Sequence, residues 1–217
     1  MNNNEFRRRI LMTVFGVLIC GMAVGMFQFS AMGMDPFQVF AHGISAHIHA
    51  VGFGTVYMIL NVILLVIDFF LLDKHKIGIA TFINLFLLGY VVEFSDSLLQ
   101  KLIPNPTLTV RVIILLIAIV ILCLASALYF TGDLGVSTYD AVALSVSEKW
   151  HLPFKFVRIT TDVICVVIGT VLGVLPGVGT IITAFFMGPL IEYFNVHVAQ
   201  PLRYGKKAEQ RRAALAE

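Results

Sequence analysis

The sequence predicts an all-α membrane protein. It predicts six transmembrane helices as two inverted three-helix repeats, each with a short amphipathic helix between its first and second spans. Three observations lead there. Of 217 residues, 59% are hydrophobic and 13% are charged, whereas a soluble domain carries about 25% charge. Six apolar runs, at about 10–29, 55–72, 77–98, 112–130, 157–175 and 178–198, approach the roughly 20 residues that cross a bilayer as helix. A polar-started motif then occurs twice, 102 positions apart.

The first copy is Met32-Gly33-Met34-Asp35-Pro36-Phe37-Gln38 and the second is Leu134-Gly135-Val136-Ser137-Thr138-Tyr139-Asp140. Each has a glycine, then a capping residue (Asp35, Ser137). Three positions later comes a side chain able to reach back to the cap's own N–H (Gln38, Asp140), the capping-box arrangement. Pro36 suits a first helical position, where a missing N–H costs nothing. Short helices are therefore expected over 36–49 and 138–150. Phe37, Phe40, Ala41, Ile44 and Ile48 fall on one stripe of the first, and Gln38, His42, Ser45 and His49 on an adjoining one. Both are too short to span. Either they lie in the interface or they dip into the protein.

The other elements follow in order. Residues 1–9 form a polar tail ending in Arg7-Arg8-Arg9. The first apolar run exceeds the 7–15 residues of a signal-peptide core and reads as a retained helix. Its Gly21 and Gly25 have the small-xxx-small spacing of close helix packing. Gly52 and Gly54 turn the chain into the second span, and Asp73-Lys74-His75-Lys76 turns it into the third. Pro104-Asn105-Pro106 marks the linker between halves. Pro189 removes one backbone hydrogen bond from the last span and is expected to kink it. The first repeat is placed at 1–103, the second at 104–202 and a basic tail at 203–217. Cys20, Cys123 and Cys165 all lie in apolar runs, as buried thiols rather than a disulfide framework or metal cluster.

The similarity of halves extends beyond the short helices. Gly78, Thr81, Ile83, Phe86, Gly89 and Glu93 match Gly177, Thr180, Ile182, Phe185, Gly188 and Glu192 at an offset of 99. Asn61 matches Asp162 at 101, and Arg9 matches Arg111 at 102. A register of Gly, Thr, Gly and Glu points to an internal repeat. Three spans per half invert the second half relative to the first. With the N-terminus inside, 13 of the 15 Lys and Arg lie inside, and only Lys101 and Arg111 outside. That bias predicts a multi-pass protein of the bacterial cytoplasmic membrane with both termini inside.

Intramembrane ionisable residues are costly and face a bundle interior or cavity. The candidate solute or ion pathway therefore comprises Asp35, Gln38, His42, Glu93, Ser137, Thr138, Asp140, Arg158, Asp162 and Glu192. Glu93 and Glu192 read either as coupling carboxylates or as interfacial ones beside the short helices. Arg158, four residues before Asp162, reads as its ion-pair partner on one helix face, with substrate binding as the alternative. Asp68 and Asn84 are further polar candidates, Asp68 at the interface close to Asp73. The spacing of His42, His47 and His49 does not converge on a metal, so no metal, cofactor or catalytic residue is expected.

Gly-x-Asp-Pro-Phe after the first span, Gly-Val-Ser-Thr-Tyr-Asp-Ala after the fourth, and Gly-Thr-Ile-Ile with Gly-Pro-Leu-Ile-Glu in the last resemble the YczE/YitT-type bacterial membrane proteins. The resemblance covers nearly the whole chain. It implies a small inner-membrane protein and brings no substrate or functional residues. The leading functional expectation is a transporter or permease for a small polar solute or ion. The alternative is a non-transporting partner or regulator of another membrane assembly. Neither is an enzyme or binds nucleic acid. The partners expected are the lipid bilayer, the solute, and a second copy or another membrane protein.

Overall fold

The computed structural model describes residues 3–48, 53–71 and 78–205. His49, Gly52, the 73–76 turn and the basic tail from Lys206 lie outside them. The described residues are helical: α1 (Asn3–Ser30), α2 (Pro36–His47), α3 (Phe53–Leu71), α4 (Ile79–Leu102), α5 (Leu108–Gly132), α6 (Thr138–Lys149), α7 (Phe154–Val171), α8 (Val178–Phe194), a π-helical turn (Asn195–Ala199) and α9 (Gln200–Tyr204). Among the described residues, three stretches are long and apolar enough to cross a membrane: Glu5–Ser30, Leu108–Gly132 and Val178–Tyr204. Thr55–Phe70 is a shorter apolar helix. With the apolar composition, this makes the chain a membrane protein.

Several ends differ from the sequence expectation. α2 stops at His47, where Ile48 leaves helical geometry at φ −110°. α7 stops at Val171, four residues before the expected end, because Gly173 takes φ +93° and Pro176 cannot continue a helix. α8 runs through Pro189, and the ladder widens to i+5 bonding only at 195–199. All three cysteines are free thiols, as expected, with Cys20 and Cys123 buried.

Glycines set the helix packing. A Cβ on Gly16 would lie 2.9 Å from Tyr129, and one on Gly132 would lie 2.2 Å from Thr13. These pairs make α1 and α5 antiparallel at close range. Gly21 meets Val91 and Gly25 meets Ser95, so α1 and α4 run parallel, fastened by Ser95 Oγ donating to Met22 O at 2.9 Å. α5 and α8 also run parallel, since Cys123 meets Met187 and Thr131 meets Asn195. The core of Val17, Ala23, Leu115, Ala118, Cys123 and Ile191 lies along these helices. α2 packs on α7 and α3 on α6 at their sides.

The breaks before the two short helices are built alike. Ala31 and Asp133 both close their helices in the left-handed region, at φ 51° and 55°. Gly33 and Gly135, two residues on, have φ 152° and 107°, which favour glycine. Gly179 N–H donates to Met32 O, and Ala80 N–H donates to Leu134 O, both at 2.9 Å. Thr180 Oγ1 donates to Met34 O at 2.6 Å, and Thr81 Oγ1 donates to Val136 O at 2.7 Å. Each break is thus stitched to the first turn of a long helix of the other half.

Candidate functional site: a buried charge network beside a central cavity

The short helices meet at their N-terminal ends. Phe37 and Tyr139, second residues of α2 and α6, stack with ring centroids 5.0 Å apart. They are also counterparts at the 102-residue offset. Asp35 caps α2 by accepting Phe37 N–H at 2.9 Å. Ser137 caps α6 by accepting Asp140 N–H at 3.2 Å. The second cap differs from the expected box. Ser137 Oγ donates to Asp140 Oδ2 at 2.5 Å, and the Asp140 carboxylate is turned inward.

It turns toward Arg158, a fully buried arginine at 2% exposure. Arg158 bridges two aspartates: Nη1 donates to Asp140 Oδ1, and Nε donates to Asp162 Oδ2 at 3.2 Å. Asp162 is 0% exposed and Asp140 6%. Taking ions out of water costs several kcal/mol each unless their remaining hydrogen-bond sites are filled. Here they are filled. Tyr129 OH donates to Asp140, and Tyr139 OH donates to Asp162 at 2.6 Å. The Tyr139 ring lies 4.6 Å from the guanidinium carbon, close enough for cation–π attraction. Beside this, Thr138 Oγ1 donates to Asn61 Oδ1 at 2.6 Å, and Asn61 Nδ2 donates to Tyr57 O at 2.8 Å.

The two halves supply the same positions with different chemistry. Asp140, Arg158 and Asp162 have Gln38, Tyr57 and Asn61 as counterparts at offsets of 102, 101 and 101. Tyr129 and Tyr139, whose hydroxyls serve the aspartates, stand opposite Phe27 and Phe37 at 102. At these paired positions the first half is neutral where the second is charged, apart from Asp35, whose counterpart is Ser137.

A cavity of about 760 Å³ lies between them. Phe27, Phe37, Tyr57, Leu88, Leu122 and Met187 contribute apolar wall, while Asp35, Gln38, Asn84, Ser137, Thr138 and Asp140 contribute polar groups. Glu93 and Asp96 stand on its lining as well. Its one cationic lining residue among those described is Arg158. Burial holds the Asp35 carboxyl above its ordinary range, against the opposing pull of Arg158 and the Phe37 amide.

The structure therefore brings together seven of the ten residues singled out in the sequence: Asp35, Gln38, Glu93, Ser137, Thr138, Asp140 and Arg158. Asp162 sits behind Arg158 as its second anchor. His42 is away from the cavity, half-buried one turn further along α2. Glu192 is also apart, in a smaller pocket of about 320 Å³ with Asp133, Glu148 and Arg203, its carboxylate 3.8 Å from Lys155 Nζ. Asp68 is 0% exposed, and neither of its carboxylate oxygens has a hydrogen-bond partner among the described residues. Tyr57, Tyr129 and Tyr139 were not singled out beforehand as site residues. Their signal was the offset itself, which pairs each with a residue in the other half's site.

The chain resembles proteins of two bacteria. It is 25% identical over 188 residues to an uncharacterized protein of Haemophilus influenzae, covering 86% of this chain and 83% of that one. It is 24% identical over 193 residues to the uncharacterized membrane protein YczE of Bacillus subtilis, covering 87% and 86%. No solved structure matches it significantly. The family model described as a family of unknown function, DUF6198, matches residues 7–196, and the chain belongs to that family.

Proposed function

We propose that this protein is a transporter or permease for a small solute or ion, built as an inverted repeat of six spans in a bacterial cytoplasmic membrane. Its halves are residues 1–103 and 104–202, with both termini and the basic tail inside. The observation that carries the reading is the central cavity, where the two short helices meet between a charged half and a neutral one. Polar groups at short-helix N-termini near a repeat interface are how many transporters hold a solute. The paired stitches at Gly33–Thr180 and Gly135–Thr81 support the repeat. So does the Phe37–Tyr139 stack, since counterparts touch each other only near a pseudo-two-fold axis. The parallel pairs α1 with α4 and α5 with α8, the first pair running opposite to the second, support inversion.

The test is aqueous accessibility of single cysteines at Gln38 and Glu93, in a full-length variant lacking Cys20, Cys123 and Cys165 and reconstituted in vesicles. Membrane-impermeant maleimide is expected to label both. Protection of Gln38→Cys from both sides would mean a closed bundle and would favour the partner or regulator reading instead.

A further inference from the structure

We infer that the central cavity takes a small organic cation, with its ammonium group on Asp35 and its apolar body against the aromatic wall of the neutral half. The inference rests on the transport reading and names the class of solute. Charge balance comes first. Arg158 is already bonded by two carboxylates, Asp140 and Asp162. Asp35 stands outside that network. Its hydrogen bond is to a backbone amide, and no guanidinium or ammonium is within salt-bridge distance of it among the described residues. The lining adds Glu93 and Asp96 and only Arg158 as cation. An anionic solute would enter a cavity whose carboxylates outnumber its cations. A cation meets a carboxylate without having to break the Arg158 bridge.

Size and wall chemistry decide what kind of cation. A cavity of about 760 Å³ is far larger than a bare metal ion needs and falls within the range of small-molecule sites. Phe37 packs on Tyr57 at 5.5 Å between ring centroids, two residues from Asp35. With Phe27, these rings line the same space. Ring faces attract ammonium groups at about 0.5–2 kcal/mol each, and the hydrocarbon part of an organic cation replaces water on the apolar wall. The neutral half thus supplies the surface for the body, and Asp35, its one carboxylate in the central cluster, supplies the countercharge.

The experiment uses the full chain purified in detergent, with three probes of one shape: phenethylammonium, 3-phenylpropionate and 2-phenylethanol. Binding is read by calorimetry and by ligand-induced thermal shift. Phenethylammonium is expected to bind, with the carboxylate probe silent and the alcohol much weaker. Asp35→Asn keeps the cap, because Asn also accepts the Phe37 N–H, and removes only the charge. It is expected to weaken phenethylammonium binding about thirtyfold or more, the loss seen when one partner of a buried charge pair is removed, with its melting temperature near that of the wild type. Thr170→Ala, at an exposed position of α7 away from the lining, is expected to leave the preference for cation over anion in place. Equal binding of all three probes, preference for the anion, no binding at all, or an Asp35→Asn variant with unchanged affinity would overturn the cation assignment. The cysteine labelling at Gln38 stands apart from these outcomes. A labelled cavity that refuses the ammonium probe sinks the solute class alone, and an unlabelled one sinks the transport reading beneath it.

Discussion

Arg158 holds two aspartates that come from different helices, so its loss is expected to cost more than one bond. Arg158→Met leaves Asp140 and Asp162 buried and unpaired, and removing one partner of a buried pair costs about 3–5 kcal/mol. Thermal unfolding in detergent should show that loss. Adding Asp140→Asn and Asp162→Asn to Arg158→Met removes the stranded charges and is expected to recover most of it. If Arg158→Met melts with the wild type, the three residues are not a buried ion network. Tyr139→Phe keeps the stack on Phe37 and deletes the hydroxyl that serves Asp162. It is expected to cost about 1–3 kcal/mol, the usual penalty for leaving a buried acceptor unfilled. The Arg158–Asp162 pairing was legible in sequence because four residues on a helix share a face. The Arg158–Asp140 bond was not. Asp140 sits where a capping box wants it, and the sequence does not say that a carboxylate free to cap would choose a guanidinium 18 residues away. The charged and hydroxylated partners outbid the backbone N–H.

At the scale of elements, each short helix begins from a break clamped to a long helix of the other half. Thr81 and Thr180 are the clamps, and each oxygen both donates and accepts. Thr81 donates to Val136 O and accepts Gly78 N–H; Thr180 donates to Met34 O and accepts Met34 N–H. Thr81→Val and Thr180→Val keep the shape and lose both bonds. Each is expected to destabilise by about 1–3 kcal/mol, and the matching bonds of the two threonines make the two losses similar. Gly78→Ala and Gly177→Ala test the same joints by crowding. Their Cβ atoms would fall 2.3 Å from Leu134 O and 2.2 Å from Met32 O, on backbone that cannot swing aside. Overpacking of this kind costs about 1–3 kcal/mol, and all four melting temperatures are expected to drop together. The register of Gly78, Thr81, Gly177 and Thr180 was visible in the sequence as a repeat. Its partner across the fold was not, because periodicity reports what one helix presents and not which loop it receives. The left-handed Ala31 was equally hidden, since alanine does not announce that conformation. The early end of α7 had its signals in Gly173 and Pro176, but the apolar residues around them extended the expected span to 175.

For the whole molecule, the decisive quantity is the direction in which each half crosses the bilayer. α1 and α4 run the same way, so the chain returns between them, and α3 is the one long helix available for that return. α5 runs against α1 and with α8. Two parallel pairs of opposite sense require the ends at Lys101 and Arg111 to lie across the membrane from the ends at Arg9, Asp133 and Arg203. At the latter end Arg9 and Arg203 both pair with Asp133, so cations gather there in three dimensions as well as in sequence. Under the proposed topology, cytoplasmic retention of Lys and Arg puts that end inside. A reporter active only outside the cytoplasm, fused after Lys101, is expected to be active. The same reporter fused after His151, in the connection between α6 and α7, is expected to be silent, and a cytoplasmic reporter should give the converse pattern. A cytoplasmic Lys101 would break the inversion, because α4 and α5 would then join on the side where α1 begins. The cavity would lose its symmetric approach from two sides, and the matched stitches at Thr81 and Thr180 would be a packing device with no part in alternating access. An external Lys101 with an internal His151 leaves each short helix closing the cavity toward a different face. That is the arrangement in which a solute held at Asp35 can be released to either side without the charged half leaving its place.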